Sequence, residues 1–260
     1  MHLTPLPLQL KTEMKKIRVL LTGASGVIGS AFWNTPHPAL ELRLADIRTE
    51  KLAAAPCEVL ALDVSDYDAC LAACRDIDVV LHLAGDPSAE ADFYASLLST
   101  NIIGTYNIFK AAQAQGCARV VFASSAQAIE GYALDLQVSE DMAPRPKSMY
   151  GASKVFGEGV ASCFAHQFGM TALAVRIANV AVFEAGQSHN PRDVAAFISV
   201  RDVVHLLARC VEADVRGFHI VHGVSDNRYK RLAIDATRAL VQYAPQDDAF
   251  DLLAIPGGAV

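Results

Sequence analysis

Short, almost uninterrupted apolar runs recur along the chain. "IRVLLTG", residues 17–23, is rich in β-branched and aliphatic side chains and closes on glycine, the pattern of a strand buried on both faces. Runs of the same kind end at Asp46 ("LRLAD"), Asp63 ("EVLALD"), Gly85 ("DVVLHLAG"), Ser125 ("ARVVFASS"), Ile177 ("TALAVRI") and Gly223 ("FHIVHG"). Between them the apolar positions take helical spacing, which predicts helices over 27–33, 66–75, 91–115, 148–168 and 202–213. A last helix is expected over 229–243, with a weakly structured tail after Pro245. Strand and helix in strict alternation predict an α/β fold, a Rossmann-type doubly wound parallel sheet with helices on both faces.

In such a sheet ligands bind beyond the carboxyl ends of the strands, so residues there are the first candidates for chemistry. The first strand runs into "TGASGVIG", which sets Gly23, Gly26 and Gly29 directly before a helix. Glycines there let the chain turn tightly and bring the helix-start amides of Ser25, Val27 and Ile28 close to a diphosphate, although a strand-to-helix turn can need glycine for geometry alone. Asp46, ending the second strand and followed by Ile47, can accept from both ribose hydroxyls and repels the extra phosphate of NADP; it reads otherwise as a turn former. NAD is therefore the expected cofactor, with Arg48 positioned to soften that repulsion.

Asp63 and Val64 suit the adenine edge, while the small residues of "HLAG", with Leu83, Ala84 and Gly85, let a cofactor pass close to the backbone. His82 in that segment has apolar neighbours and reads as a core histidine. Asn101 is an amide inside a long helical pattern, a poor choice unless it bonds something specific.

The segment "YGASK" sets Tyr150 and Lys154 four residues apart on one helix face. A phenol ionises near pH 10, too high for a base, but a neighbouring ammonium favours the phenolate and draws that value down. Tyr150 can then take a proton from an alcohol while Ser125, at the end of the fifth strand, holds the substrate oxygen. The bland alternative is an exposed Tyr/Lys pair on a surface helix.

Composition narrows the classes. Hydrophobic residues make up 52% of 260, enough for one large core with at most a small appendage. Lys+Arg 22 against Asp+Glu 28 gives a net charge of -6 with no basic block, which opposes nucleic-acid binding. The six cysteines lack a CxxC pair and read as free thiols of a cytoplasmic protein; Cys70 and Cys74 share a helix face but read as packing residues, and no metal site is expected. Residues 1–16 are too short and proline-broken to cross a membrane and are expected to form a loose extension.

In the order "TGASGVIG", "ADI", "LDVSD", "HLAG", Asn101, "FASS", "YGASK", "RIAN", the chain resembles the extended short-chain dehydrogenase/reductases, also called NAD-dependent epimerase/dehydratases. The likeness spans Ile17 to about Gly223. It implies a catalytic set of Ser125, Tyr150 and Lys154, with Lys154 also holding the nicotinamide ribose, Asn101 supporting the proton route, and Ala123 and Ile177 beside the cofactor. It also implies an NAD-binding domain over 17–177, a small substrate-binding portion over 178–260, and a homodimer built on the helices near Ala91 and Ser148, with Phe93, Tyr94, Phe156 and Phe164 as candidate contacts.

Within the family, "PRPKSMYGASK" and "RDVVHLLARC" are similar to uronate dehydrogenases, which oxidise C1 of a hexuronic acid to the lactone. That likeness implies a substrate carboxylate gripped by Arg192, which reads equally as a solvated loop charge. Further expected contacts are Ser88, Gln127 and Asn179. The chain departs from the pattern at Ala126-Gln127, where those enzymes carry Asn-His, so the expected substrate is a small sugar or sugar acid. Two alternatives stand beside a dehydrogenase: a nucleotide-sugar epimerase or dehydratase, which Asn179 keeps open, and a non-catalytic nucleotide-binding regulator.

Overall fold

The computed structural model describes residues 16–255, so the expected amino-terminal extension lies, apart from Lys16, outside the described residues. In chain order the strands are β1 (Ile17–Thr22), β2 (Leu40–Asp46), β3 (Glu58–Ala61), β4 (Val79–His82), β5 (Arg119–Ser125), β6 (Thr171–Ile177), the short β7 (Asn179–Val180) and β8 (Phe197–Ile198), and β9 (Phe218–Gly223). Seven of them form one parallel sheet in the order β3-β2-β1-β4-β5-β6-β9, while β7 pairs with β8. The order reverses at β1, whose neighbours are β2 and β4, and a crevice opens there at the carboxyl edge.

The helices are α1 (Val27–Asn34), α2 (Tyr67–Ala73), α3 (Thr105–Ala114), α4 (Met149–Phe168), α5 (Pro191–Ala195), α6 (Val200–Glu212), α7 (Asp235–Val241) and α8 (Ala249–Leu252). A stretch of wide π turns, Phe93–Gly104, leads into α3, so the helix expected over 91–115 is continuous but wound in two ways. Successive residues of β1 explain its unbroken apolar run. Val19 and Leu21 pack into one layer with Phe32 of α1 and Leu207 of α6, and Leu20 packs into the other with Phe109 of α3 and Phe164 of α4.

α4, the helix that carries the Tyr/Lys pair, is bounded by local chemistry. The Ser148 side chain accepts from the Gly151 amide at its start, and Gly169 ends it with φ +69°. It lies close on β5 because Gly157 has no side chain: a Cβ there would fall 2.2 Å from the Phe122 ring. Cys70, Cys74 and Cys117 are buried in the same layer as small packing residues. His82 is fully buried, with Nδ1 2.8 Å from Thr22 Oγ1, and burial pushes it down to about 3.

Two expectations near the end are corrected. The helix expected over 229–243 is confined to Asp235–Val241. The residues before it are irregular, held by an isolated bridge between Leu232 and Val138 and by the buried Arg231, which donates to the carbonyls of Tyr132, Ala133 and Leu136. The tail after Pro245 forms α8, capped by Asp248, and Ala249 and Leu253 pack on Phe183, Val194 and Phe197. The expected substrate portion, 178–260, shares the main sheet through β9 and packs α6 beneath it, which leaves β7, α5, β8 and α8 at its carboxyl edge. Among the described residues no helix is long and apolar enough to cross a membrane, and no cluster of His, Cys, Asp or Glu is arranged to hold a metal ion.

Candidate active site

A cleft of about 490 Å3 runs along the carboxyl edge from the glycine turn after β1, past the ends of β4 and β5, to Asn179 and Arg192. At its start Gly23 has φ +71°, and a Cβ there would lie 2.6 Å from the Ala84 amide nitrogen. Gly29 is as tightly placed, since its Cβ would fall 2.3 Å from the Gly23 carbonyl. α1 begins at Gly26 with no side chain capping it and no acid in its first turn, and Val27 and Ile28 line the cleft. The positive end of α1 is thereby open to an anion, which fits the diphosphate of a dinucleotide.

Asp46 stands beside this turn, nearly buried. Its carboxylate accepts from the Ser25 amide at 2.9 Å and the Arg48 amide at 3.0 Å. Burial works against its charge, but these bonds hold it below the usual carboxylate range. Ile47 beside it is exposed, and Arg48 lines the cleft with Nε 3.8 Å from Asp46 Oδ1. Asp63 and Val64 lie outside the cleft: Asp63 accepts from the amide and hydroxyl of Ser65, and Val64 is buried against Gly104.

Leu83, Gly85, Ala123 and Ile177 line the middle of the cleft. Asn101 sits behind Gly85, accepting from the Asp86 amide at 2.8 Å and donating to the Asp86 carbonyl and to Ser153 Oγ, both at 3.1 Å. That is the specific partner its position inside a helix called for. A Cβ on residue 85 would approach Asn101 Oδ1 and Lys154 Nζ at 3.3 and 3.5 Å, so the two side chains flank this glycine.

Ser125, Tyr150 and Lys154 meet across β5 and α4. Lys154 Nζ donates to the Ala123 carbonyl at 2.8 Å and lies 5.6 Å from the Tyr150 ring centroid. Burial pushes Lys154 down to about 8. Tyr150 is pushed up, first by burial and then by the Asp86 carboxylate, against a hydrogen bond with Ser125 that works the other way. The expected net depression of the phenol is thus corrected. Desolvation dominates at this depth and loosens the lysine's own proton as well.

At the far end Gln127, Asn179 and Arg192 line the cleft, whereas Ser88 does not. Ser88 is exposed and its hydroxyl donates to Glu90. Asp86 lines the cleft, a carboxylate four residues past the end of β4 that no local pattern singles out. Arg192 is not a solvated charge: Nε and Nη2 donate to the two Glu130 oxygens at 2.9 and 2.5 Å, and Nη1 donates to Asp193 at 3.1 Å. Glu130 was missed because its partner is 62 positions away. Beneath the site Ser124 Oγ donates to Glu158 at 2.6 Å, and Arg176 holds the same carboxylate through two bonds of 2.8 and 2.9 Å.

Residues 19–200, which contain the glycine turn, Asp46 and the Ser/Tyr/Lys group, match the NAD dependent epimerase/dehydratase family. The chain belongs to this family. It is 35% identical over 252 residues to an NAD-dependent glucose-6-phosphate dehydrogenase of Haloferax volcanii, covering 89% of this chain and 94% of that one. It is 34% identical to a uronate dehydrogenase of Pseudomonas putida over 81% of this chain and 77% of the relative. The crystal structure of uronate dehydrogenase from Agrobacterium tumefaciens superposes with a TM-score of 0.82 at 33% identity, covering 92% of this chain and 87% of that one. As an NAD-dependent enzyme of this family, the protein has in its glycine turn, open α1 terminus and Asp46 the parts that would hold the dinucleotide.

Proposed function

We propose that the protein is a dehydrogenase that oxidises a hydroxyl of a small sugar or sugar acid with NAD. The observation that carries this reading is the convergence of Ser125, Tyr150 and Lys154 on the same cleft as the glycine turn. Bound NAD supplies the hydride acceptor. Ser125 donates to the substrate oxygen and orients it. Burial holds the Tyr150 proton on, so for the phenol to take the hydroxyl proton as phenolate that pull must be offset, which the Lys154 ammonium on the same helix face and the positive charge of a bound nicotinamide would do. At a C1 hydroxyl the C–H bond breaks with its electron pair leaving as hydride, the O–H proton goes to Tyr150, and the new C=O makes the product a lactone. Asn101 belongs to the proton route by holding the Asp86 turn against α4.

A panel of aldoses and hexuronates with NAD tests the reading through the NADH absorbance. Reduction that depends on Tyr150 supports it; no NADH from any of the panel sinks it. The reading extends to a cytoplasmic enzyme with free thiols and to a homodimer. The exposed Tyr94, Tyr106, Phe156 and Phe168 supply an apolar face along the π stretch, α3 and α4, whereas Phe164 belongs to the core. Sedimentation at micromolar concentration tests the assembly.

A further inference from the structure

Among the described residues three cations line the cleft, Arg48, Lys154 and Arg192, and each already has a partner. Arg48 lies by Asp46 at the glycine-turn end, and Lys154 is buried and bound to the Ala123 carbonyl. Arg192 stands at the substrate end, where an anionic group on a sugar would have to be gripped. All three of its guanidinium nitrogens donate to carboxylates, two to Glu130 and one to Asp193, and the pair with Glu130 is largely shielded from water. The fork that suits a substrate carboxylate is filled by one from the protein itself.

The rest of that wall is uncharged or negative. Gln127 and Asn179 offer amides, and the Asp86 carboxylate accepts from Ser96 Oγ at 2.6 Å and the Ser88 amide at 3.0 Å. Such a wall can accept from sugar hydroxyls. A carboxylate or phosphate brought into the cleft would face the Asp86 carboxylate, and would find the Arg192 guanidinium already neutralised by Glu130 and Asp193. We infer that the sugar is uncharged away from its reacting carbon, a neutral aldose rather than a uronate or a sugar phosphate. The inference rests on the dehydrogenase reading above and narrows its substrate class.

The test is a matched set that varies at C6 alone: glucose, glucuronate and glucose 6-phosphate, and the same three in the galacto series. Each is assayed by NADH formation with the wild-type chain, Glu130→Gln and Asp193→Asn. In the wild type, kcat/KM for the better neutral sugar is expected to exceed that of both its anions by at least about tenfold. Removing either carboxylate is expected to narrow that ratio, chiefly by lowering KM for the anion. A wild-type preference for an anion in both series overturns the inference and leaves the dehydrogenase reading standing. So does a ratio unmoved in both variants when their thermal midpoints match the wild type. No NADH from any of the six sugars removes both.

Discussion

Lys154 follows Tyr150 by one turn of α4, its ammonium 5.6 Å from the phenol ring centroid, yet the hydrogen bond it makes is to the Ala123 carbonyl of β5. The lysine is thus anchored to the sheet and faces the tyrosine through space. Tyr150→Phe removes the hydroxyl and keeps the ring's packing. It is expected to lower kcat by about 10²–10⁴, the range of a single acid–base group, with NAD affinity by calorimetry within about twofold of the wild type. Retained turnover would remove Tyr150 from the proton route.

The same burial gives Lys154 a pH signature in stability. Its folded-state value falls from the ordinary 10.5 to about 8, so between those limits the unfolded chain binds the proton and the folded chain does not. This group's contribution therefore makes the fold more stable as pH rises from about 8 towards 10.5, by on the order of 3 kcal/mol in all. Lys154→Met lacks the titration. Its stability relative to the wild type is expected to fall steadily over that interval in urea titrations at stepped pH, an advantage shrinking or a deficit growing. A constant difference between the two proteins would show that the ammonium is not desolvated.

What the sequence makes legible here follows from the range of the interactions. The glycine turn, the strand-end Asp46 and the Tyr150/Lys154 pair are local patterns whose spacing is their geometry, and the structure brings them to one cleft. Tyr229 to Ile234 carry helical periodicity but are not helical, since Arg231 finds carbonyls about 100 positions back and no local pattern encodes that. Arg192 reads from the sequence either as a grip for a substrate carboxylate or as a solvated loop charge, because Glu130, which holds it, lies 62 positions away.

Asp46 carries the prediction on cofactor choice. Its carboxylate is held ionised by the Ser25 and Arg48 amides, where the 2′-phosphate of NADP would meet it. Asp46→Asn keeps acceptor capacity but removes the charge, and Arg48 stays beside it. The ratio of kcat/KM for NAD over NADP is expected to fall by about 10–100-fold, through both a lower NADP KM and a higher NAD KM. An unchanged ratio would place cofactor discrimination elsewhere.

Beneath the site, Glu158 joins three elements: Ser124 of β5 donates to it from one side and Arg176 of β6 grips it from the other, while α4 carries it one turn beyond Lys154. Both ions are buried, so their attraction largely offsets desolvation, and removing one leaves the other unpaired. Glu158→Gln is expected to cost about 3–5 kcal/mol in urea unfolding. Because Ser124 adjoins Ser125, kcat should fall as well while KM for NAD changes little. The double variant Glu158→Leu/Arg176→Met removes both charges and is expected to regain most of the stability. It leaves Ser124 without its acceptor, so kcat should stay low; recovery of stability together with full kcat would mean that the buried pair does not position Ser125.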